Sequence, residues 1–219
     1  MAASWIRWFS ETSLDDVPIV GGKNASLGEM YRELAAEGVR IPNGFATTAA
    51  AYRHFLESTG LDRQIQGMLA ELKPDDVSSL QRTGHAVRQA ILSTELPGDL
   101  RTEISSAYER LRAEAGSETG LQLDVAVRSS ATAEDLPDAS FAGQQETYLN
   151  VQGVRPLLDT CRRCFASLFT DRAISYRNHK GFDQFQIALS IGVQRMVRSD
   201  LACSGVMFSL DTETGFCDA

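Results

Sequence analysis

Arg128 stands where an alternating apolar run meets a long stretch of small residues, and that placement is the chain's first candidate for chemistry. Leu121, Leu123, Val125 and Val127 alternate with Gln122, Asp124, Ala126 and Arg128, the two-residue period of a half-buried strand. Residues 129–145 are then dominated by Ser, Ala, Thr, Asp and Gly, and apolar residues return at Tyr148, Leu149 and Val151. A strand, a small-residue loop and a second strand make a hairpin built around its loop. Small side chains let a backbone approach a ligand closely, and successive N–H groups can form a nest for an anion. The arginine adds a fixed charge with a planar fork of donors. Phosphate is the anion this arrangement suits best. Composition alone leaves a plainer reading open and favours it: a long surface connection carrying one surface arginine.

A second candidate is Gly21-Gly22-Lys23. Leu27, Met30, Tyr31 and Leu34 follow at helical spacing and Gly38 can cap the C-terminal end, so the lysine sits where a helix begins. Free N–H groups, the positive end of the macrodipole and an ammonium converge there. The GxxxxGK[ST] spacing of a P-loop is absent. On these three residues alone, an ordinary turn with a solvated lysine is the simpler account.

Other chemistries find little support. His54, His85 and His179 lie on polar faces or near a helix end, with no triad pattern around them. Glu134, Asp135 and Asp138 read as turn formers and solvated charges, and no carboxylate cluster has the arrangement of a magnesium site. Cys161 and Cys164 form a CxxC inside a helical pattern over Pro156 to Tyr176, and Cys203 and Cys217 lack the spacing of a second zinc pair. Buried small hydrophobes are the better account of the first two. Four unpaired thiols suggest a reducing compartment, hence the cytoplasm. The net charge of −8 argues against a general nucleic-acid or anionic-membrane surface. No stretch reads as a secretory signal or membrane span.

Several elements must position these groups. Val39 to Thr48 reads as a short extended piece with a Pro-Asn-Gly turn, after which Thr47 or Thr48 caps a helix through Glu57. Residues 61–115 carry three apolar stripes: Ile65, Met68, Leu69 and Leu72; then Leu80, Val87, Ile91 and Leu92; then Leu100, Ile104, Ala107, Tyr108 and Leu111. These read as scaffold helices. Phe185, Ile187, Leu189, Ile191 and Val193 alternate strictly and predict a strand that continues through Gln194, Arg195, Met196 and Val197. Val206, Phe208 and Leu210 suggest a further strand. A strand that starts a new pairing so near Ala219 suggests a truncated chain.

Five segments in order resemble the phosphoenolpyruvate synthase (pyruvate, water dikinase) family: GGKNASLGEM from Gly21, VRIPNGFATTAAAYRHFL from Val39, VAVRSSATAEDLPDASFAGQQETYLNV from Val125, CFASLFTDRAISYRNHKGF from Cys164, and GVQRMVRSD from Gly192. The wider dikinase group also holds pyruvate, phosphate dikinase and rifamycin phosphotransferase. The resemblance implies an α+β, ATP-grasp nucleotide-binding domain. Its first subdomain would span 1–195 with a helical insertion at about 61–115, and 196–219 would be only the beginning of the second. It implies that Lys23 and Arg128 contact the ATP phosphates as the catalytic cations, that Gly143 and Thr147 line the phosphate site, and that Gln194, Met196 and Val197 hold the adenine. ATP and magnesium are the implied cofactors, the metal's ligands lying beyond Ala219.

In that family a histidine on a separate swivelling domain takes the β-phosphoryl group of ATP and delivers it to pyruvate on a third domain. The products are phosphoenolpyruvate, AMP and phosphate. The partner domains are absent from this sequence, so the chain alone is expected not to turn over. Two alternatives remain at this point. One is the ATP-binding part of a rifamycin-type antibiotic phosphotransferase; the other is a non-catalytic nucleotide-binding fragment.

Overall fold

The alternating valines and isoleucines and the helical stripes bury against one another across a single antiparallel sheet. The computed structural model describes residues 4–73, 76–116, 123–132, 135–136, 139–140 and 146–198, together with 201, 203, 205–206, 208, 210 and 213–215. The first elements in chain order are β1 (Ile6–Trp8), α1 (Val17–Ala36), β2 (Gly44–Thr47), α2 (Ala49–Thr59), α3 (Leu61–Ala70), α4 (Val77–Ser93) and α5 (Gly98–Glu114). Then come β3 (Asp124–Ala131), β4 (Asp135–Leu136), β5 (Ala139–Ser140), β6 (Thr147–Gln152), α6 (Val154–Ser167), α7 (Asp171–Lys180) and β7 (Leu189–Arg195). Strand order in the main sheet is β1-β2-β7-β3-β6, and β4 and β5 form a small ladder of their own. The α+β class is thus what the chain adopts.

One sheet face is covered by the main core. Phe45, Val125, Val127, Ile191 and Val193 meet Phe55, Ile65, Ile91, Leu100, Ile104, Leu157 and Phe165, all essentially inaccessible. Each such side chain contributes about 1.5–3 kcal/mol on burial. Short helices are marginal by themselves, so the stripes rather than propensity hold α2 to α6 in place. Side-chain caps start three of the helices. Thr48 accepts from the Ala51 N–H, Asp76 from Ser79 and Thr170 from Ala173. Tyr108 ties the base of the hairpin: its hydroxyl donates to the Leu123 carbonyl (2.8 Å) and accepts from the Gly153 N–H (2.9 Å).

Three expectations are corrected. The helical pattern from Pro156 to Tyr176 is two helices, broken at Leu168 to Thr170. There the Arg177 guanidinium takes the Leu168 carbonyl (2.7 Å) while Thr170 caps the new helix. The predicted strand over 185–197 is shorter at both ends. Phe185 sits in a turn whose N–H is held by the Asp183 carboxylate (2.7 Å), and Met196 and Val197 follow the last strand residue. Finally, Val206, Phe208 and Leu210 lie in no strand; they are exposed, Val206 at 82%, without a ladder partner among the described residues. Leu121 and Gln122, the expected start of the first hairpin strand, fall outside the described residues.

Candidate functional site

The sheet register decides which residues share a face. In antiparallel ladders, residues directly opposite one another point the same way. On β3, Ala126, Arg128 and Ser130 lie opposite Gln194, Gly192 and Ser190 of β7. Arg128 is also opposite Thr147 of β6, and Gln194 is opposite Gly44 of β2. Arg128, Thr147 and Gln194 therefore share one face, the one turned away from the main core. Beyond Tyr148 the register slips by one residue at Leu149 and Asn150, and Asn150 takes a left-handed φ of 56°.

Helix α1 covers part of that face. It is not continuous: Gly21 (φ 74°, ψ 161°) breaks it, so a fresh helical start follows at Gly22 and Lys23. The break permits a close approach, because a Cβ at Gly21 would overlap Ser130 and the Ala131 carbonyl. Asn24 then lies against Gly192, again where a Cβ would overlap it. Asn24, the residue after Lys23, thus lies over Gly192, which is opposite Arg128 on β3. Arg128 and Thr147 are exposed there, and Leu149 is 58% exposed.

Past the end of β7 a groove of about 650 Å³ opens between α1 and α5, with Tyr31, Leu111, Glu114, Arg195, Met196 and Val197 among its lining residues. Met196 keeps its backbone tied to β3 through the Asp124 carbonyl (2.9 Å), and the Gln194 amide donates to the Pro42 carbonyl (3.0 Å). Lys23, Leu27 and Tyr31 form an i, i+4, i+8 row along one flank of α1. From Tyr31 to Lys23 the helix rises about 12 Å, and from Met196 back to Gly192 the chain runs roughly 13 Å. Tyr31 at the groove and Lys23 thus lie about two turns apart along α1.

Of the residues predicted from sequence, Arg128, Thr147 and Gln194 share this sheet face, Lys23 is on the helix that covers part of it, and Met196 and Val197 line the groove. Gly143 lies outside the described residues. Among the described residues no three of His, Cys, Asp and Glu come together to hold a metal ion. Sequence reasoning missed Asn24, Ser190 and Tyr31. The available signal was Ser190 and Gly192: two small residues on the second face of a strand whose first face carries Leu189, Ile191 and Val193.

A family model described as pyruvate phosphate dikinase, AMP/ATP-binding domain, matches residues 17–219. Among curated relatives, the chain is 58% identical over 215 residues to phosphoenolpyruvate synthase of Synechocystis sp., covering 98% of this chain and 26% of that protein. It is 56% identical over 216 residues to phosphoenolpyruvate synthase of Neisseria meningitidis, covering 99% and 27% respectively. For phosphoenolpyruvate synthase of Escherichia coli the values are 54% over 211 residues, 96% and 26%. The chain therefore spans about a quarter of the length of the curated relatives it matches.

Proposed function

The chain belongs to the pyruvate phosphate dikinase AMP/ATP-binding domain family, and from that premise we propose that it is the ATP-holding part of a phosphoenolpyruvate synthase. The observation that carries this reading is the register that sets Arg128, Thr147 and Gln194 on one sheet face, with Asn24, the neighbour of Lys23, packed on Gly192 opposite Arg128. The triphosphate lies across Arg128, Thr147 and the helix start at Gly22 and Lys23, where N–H groups and two cations face it. The adenine enters the groove, with Tyr31 on one wall and Met196 and Val197 on the other. The sheet is read as the first half of an ATP-grasp fold, residues 1–195, with 196–219 leading into the second half. Gly143, which lies outside the described residues, is assigned with Thr147 to the phosphate site.

In a protein of the relatives' length, the bound ATP gives its β-phosphoryl group to a histidine on another domain, and pyruvate is the final acceptor. Magnesium is supplied with the nucleotide, its protein ligands lying outside this chain. The names of the relatives favour the synthase over the antibiotic phosphotransferase.

Calorimetric titration with ATP tests the site. Lys23→Ala and Arg128→Ala each remove a charge-assisted contact worth about 1.5–3 kcal/mol, which is on the order of a ten- to hundredfold loss in affinity. Wild-type affinity in both variants removes the phosphate assignment. Failure of the full-length protein to form AMP from ATP and pyruvate removes the synthase assignment but leaves the nucleotide site standing.

A further inference from the structure

Asn24 is a polar side chain only 1% exposed, placed one residue after the lysine of the candidate site. At the break at Gly21 the Asn24 N–H reaches Ser130 Oγ (3.4 Å), and the Asn24 side chain ties the two halves of the helix to the sheet. Its Nδ2 donates to the Val20 carbonyl (3.1 Å) and to Ser190 Oγ (2.8 Å). Ser190 in turn donates to the Thr47 carbonyl (2.6 Å), and Thr47 Oγ1 accepts from the Ile191 N–H (3.0 Å). Gly192, lacking a Cβ, leaves room for Asn24 Oδ1.

We infer that Asn24 is a positioning residue: through Ser190 and the bare Cα of Gly192 it fixes the restarted helix, and hence Lys23, on the sheet face that carries Arg128. The inference rests on the nucleotide-site reading above. A buried amide whose donors are taken by Val20 before the break and Ser190 of β7 has one allowed placement, and an apolar residue there makes neither bond. The main core lies on the opposite sheet face; on this side Val20 and Ala25 pack with Phe9 and Ala46 in a smaller apolar cluster that seats α1, and apolar contact fixes register less sharply than the Asn24 bonds do. Ser190 is the far anchor, and its own bond to Thr47 extends the tie across β7 to β2.

The test is calorimetry on the 219-residue chain with ATP and with AMP, in Asn24→Ala, Ser190→Ala, the double variant and Lys23→Ala. A misplaced phosphate-end group weakens ATP by about tenfold or more while AMP stays within roughly twofold, since an ångström of misplacement in a positioning group can cost up to about a hundredfold. Because Asn24 acts through Ser190, the double variant is expected to be no worse than Asn24→Ala alone. Should Asn24→Ala fail to fold by circular dichroism, the ATP-to-AMP affinity ratio of Ser190→Ala decides. Wild-type ATP affinity in folded Ser190→Ala, with Lys23→Ala weakened, overturns this inference and spares the nucleotide site. Parallel loss of ATP and AMP also overturns it, assigning Asn24 to stability alone. No ATP binding by the wild-type chain, or an unaffected Lys23→Ala, removes both.

Discussion

Arg128 lies directly opposite Gly192 across the β3–β7 ladder, so the candidate phosphate-binding cation faces a position with no side chain. The space that a side chain would occupy is taken by Asn24. Gly192→Ala forces that amide away, and overpacking of this kind costs about 1–3 kcal/mol. For a domain of this size the melting temperature is expected to fall by roughly 2–12 °C, given about 2–4 °C per kcal/mol. Differential scanning calorimetry of the variant checks it; an unchanged melting temperature contradicts the close packing of α1 on β7.

Asn150 holds a left-handed φ of 56° at the bulge in β6. The bulge is what lets Val125 meet Val151 while Val127 still meets Tyr148, so both pairs stay on the core face. Asparagine tolerates this conformation; a β-branched residue does not. Asn150→Gly is expected to stay within about 0.5 kcal/mol of wild type, and Asn150→Val to lose about 1–3 kcal/mol. Urea unfolding followed by far-ultraviolet dichroism measures both. Equal stabilities would show that β6 pairs without a bulge.

These particulars show where the sequence was readable and where it was not. The strand at Val125 and Val127, the helical stripes and the helix start at Lys23 were legible because periodicity records burial. The break between α6 and α7 was not: Leu168 and Phe169 continue the apolar pattern, and the interruption depends on Arg177 reaching the Leu168 carbonyl from the next helix. Nothing in the local alternation marks Ser190 as buried, yet it is fully buried and bonded to Asn24, 166 residues away in sequence. Arg128 was visible as a charge at a strand end. Its place opposite Gly192, where Asn24 packs, was not, since it follows from the register of β3 on β7 and from the close approach of α1.

Asp16 gives the entry to α1 a pH dependence. Burial acts to raise its carboxyl, but the Ser13 N–H (2.9 Å) and the Arg7 guanidinium (3.2 Å) outweigh it and hold the group below the usual carboxylate range. A folded-state value below the unfolded one, about 3.9, means the stabilisation is present above about pH 4 and is lost as the pH falls through the folded value. Asp16→Asn is therefore expected to be less stable than wild type at pH 7 and to converge with it in strong acid. Denaturant midpoints across this range check the sign, and a gap that widened on acidification would contradict the Ser13 and Arg7 contacts.

Cys161 and Cys164 are fully buried on α6, whereas Cys203 is exposed. Burial pushes the Cys161 thiol up to about 12. Burial also raises Cys164 well above its ordinary value, with Cys161 and Glu146 adding to the effect. The thiolate is the reacting form, so neither should be alkylated at neutral pH while α6 stays packed. In a Cys217→Ser background, maleimide is expected to label Cys203 promptly. Cys161 and Cys164 should follow only with unfolding, slower by about a hundredfold or more if opening costs about 3 kcal/mol. Raising the pH from 7 to 9 should not close that gap, because both values lie below the Cys161 thiol's own titration. Peptide mass mapping of the labelled sites tests the assignment: prompt labelling of Cys161 or Cys164 in the folded chain would mean that α6 is not seated against β3.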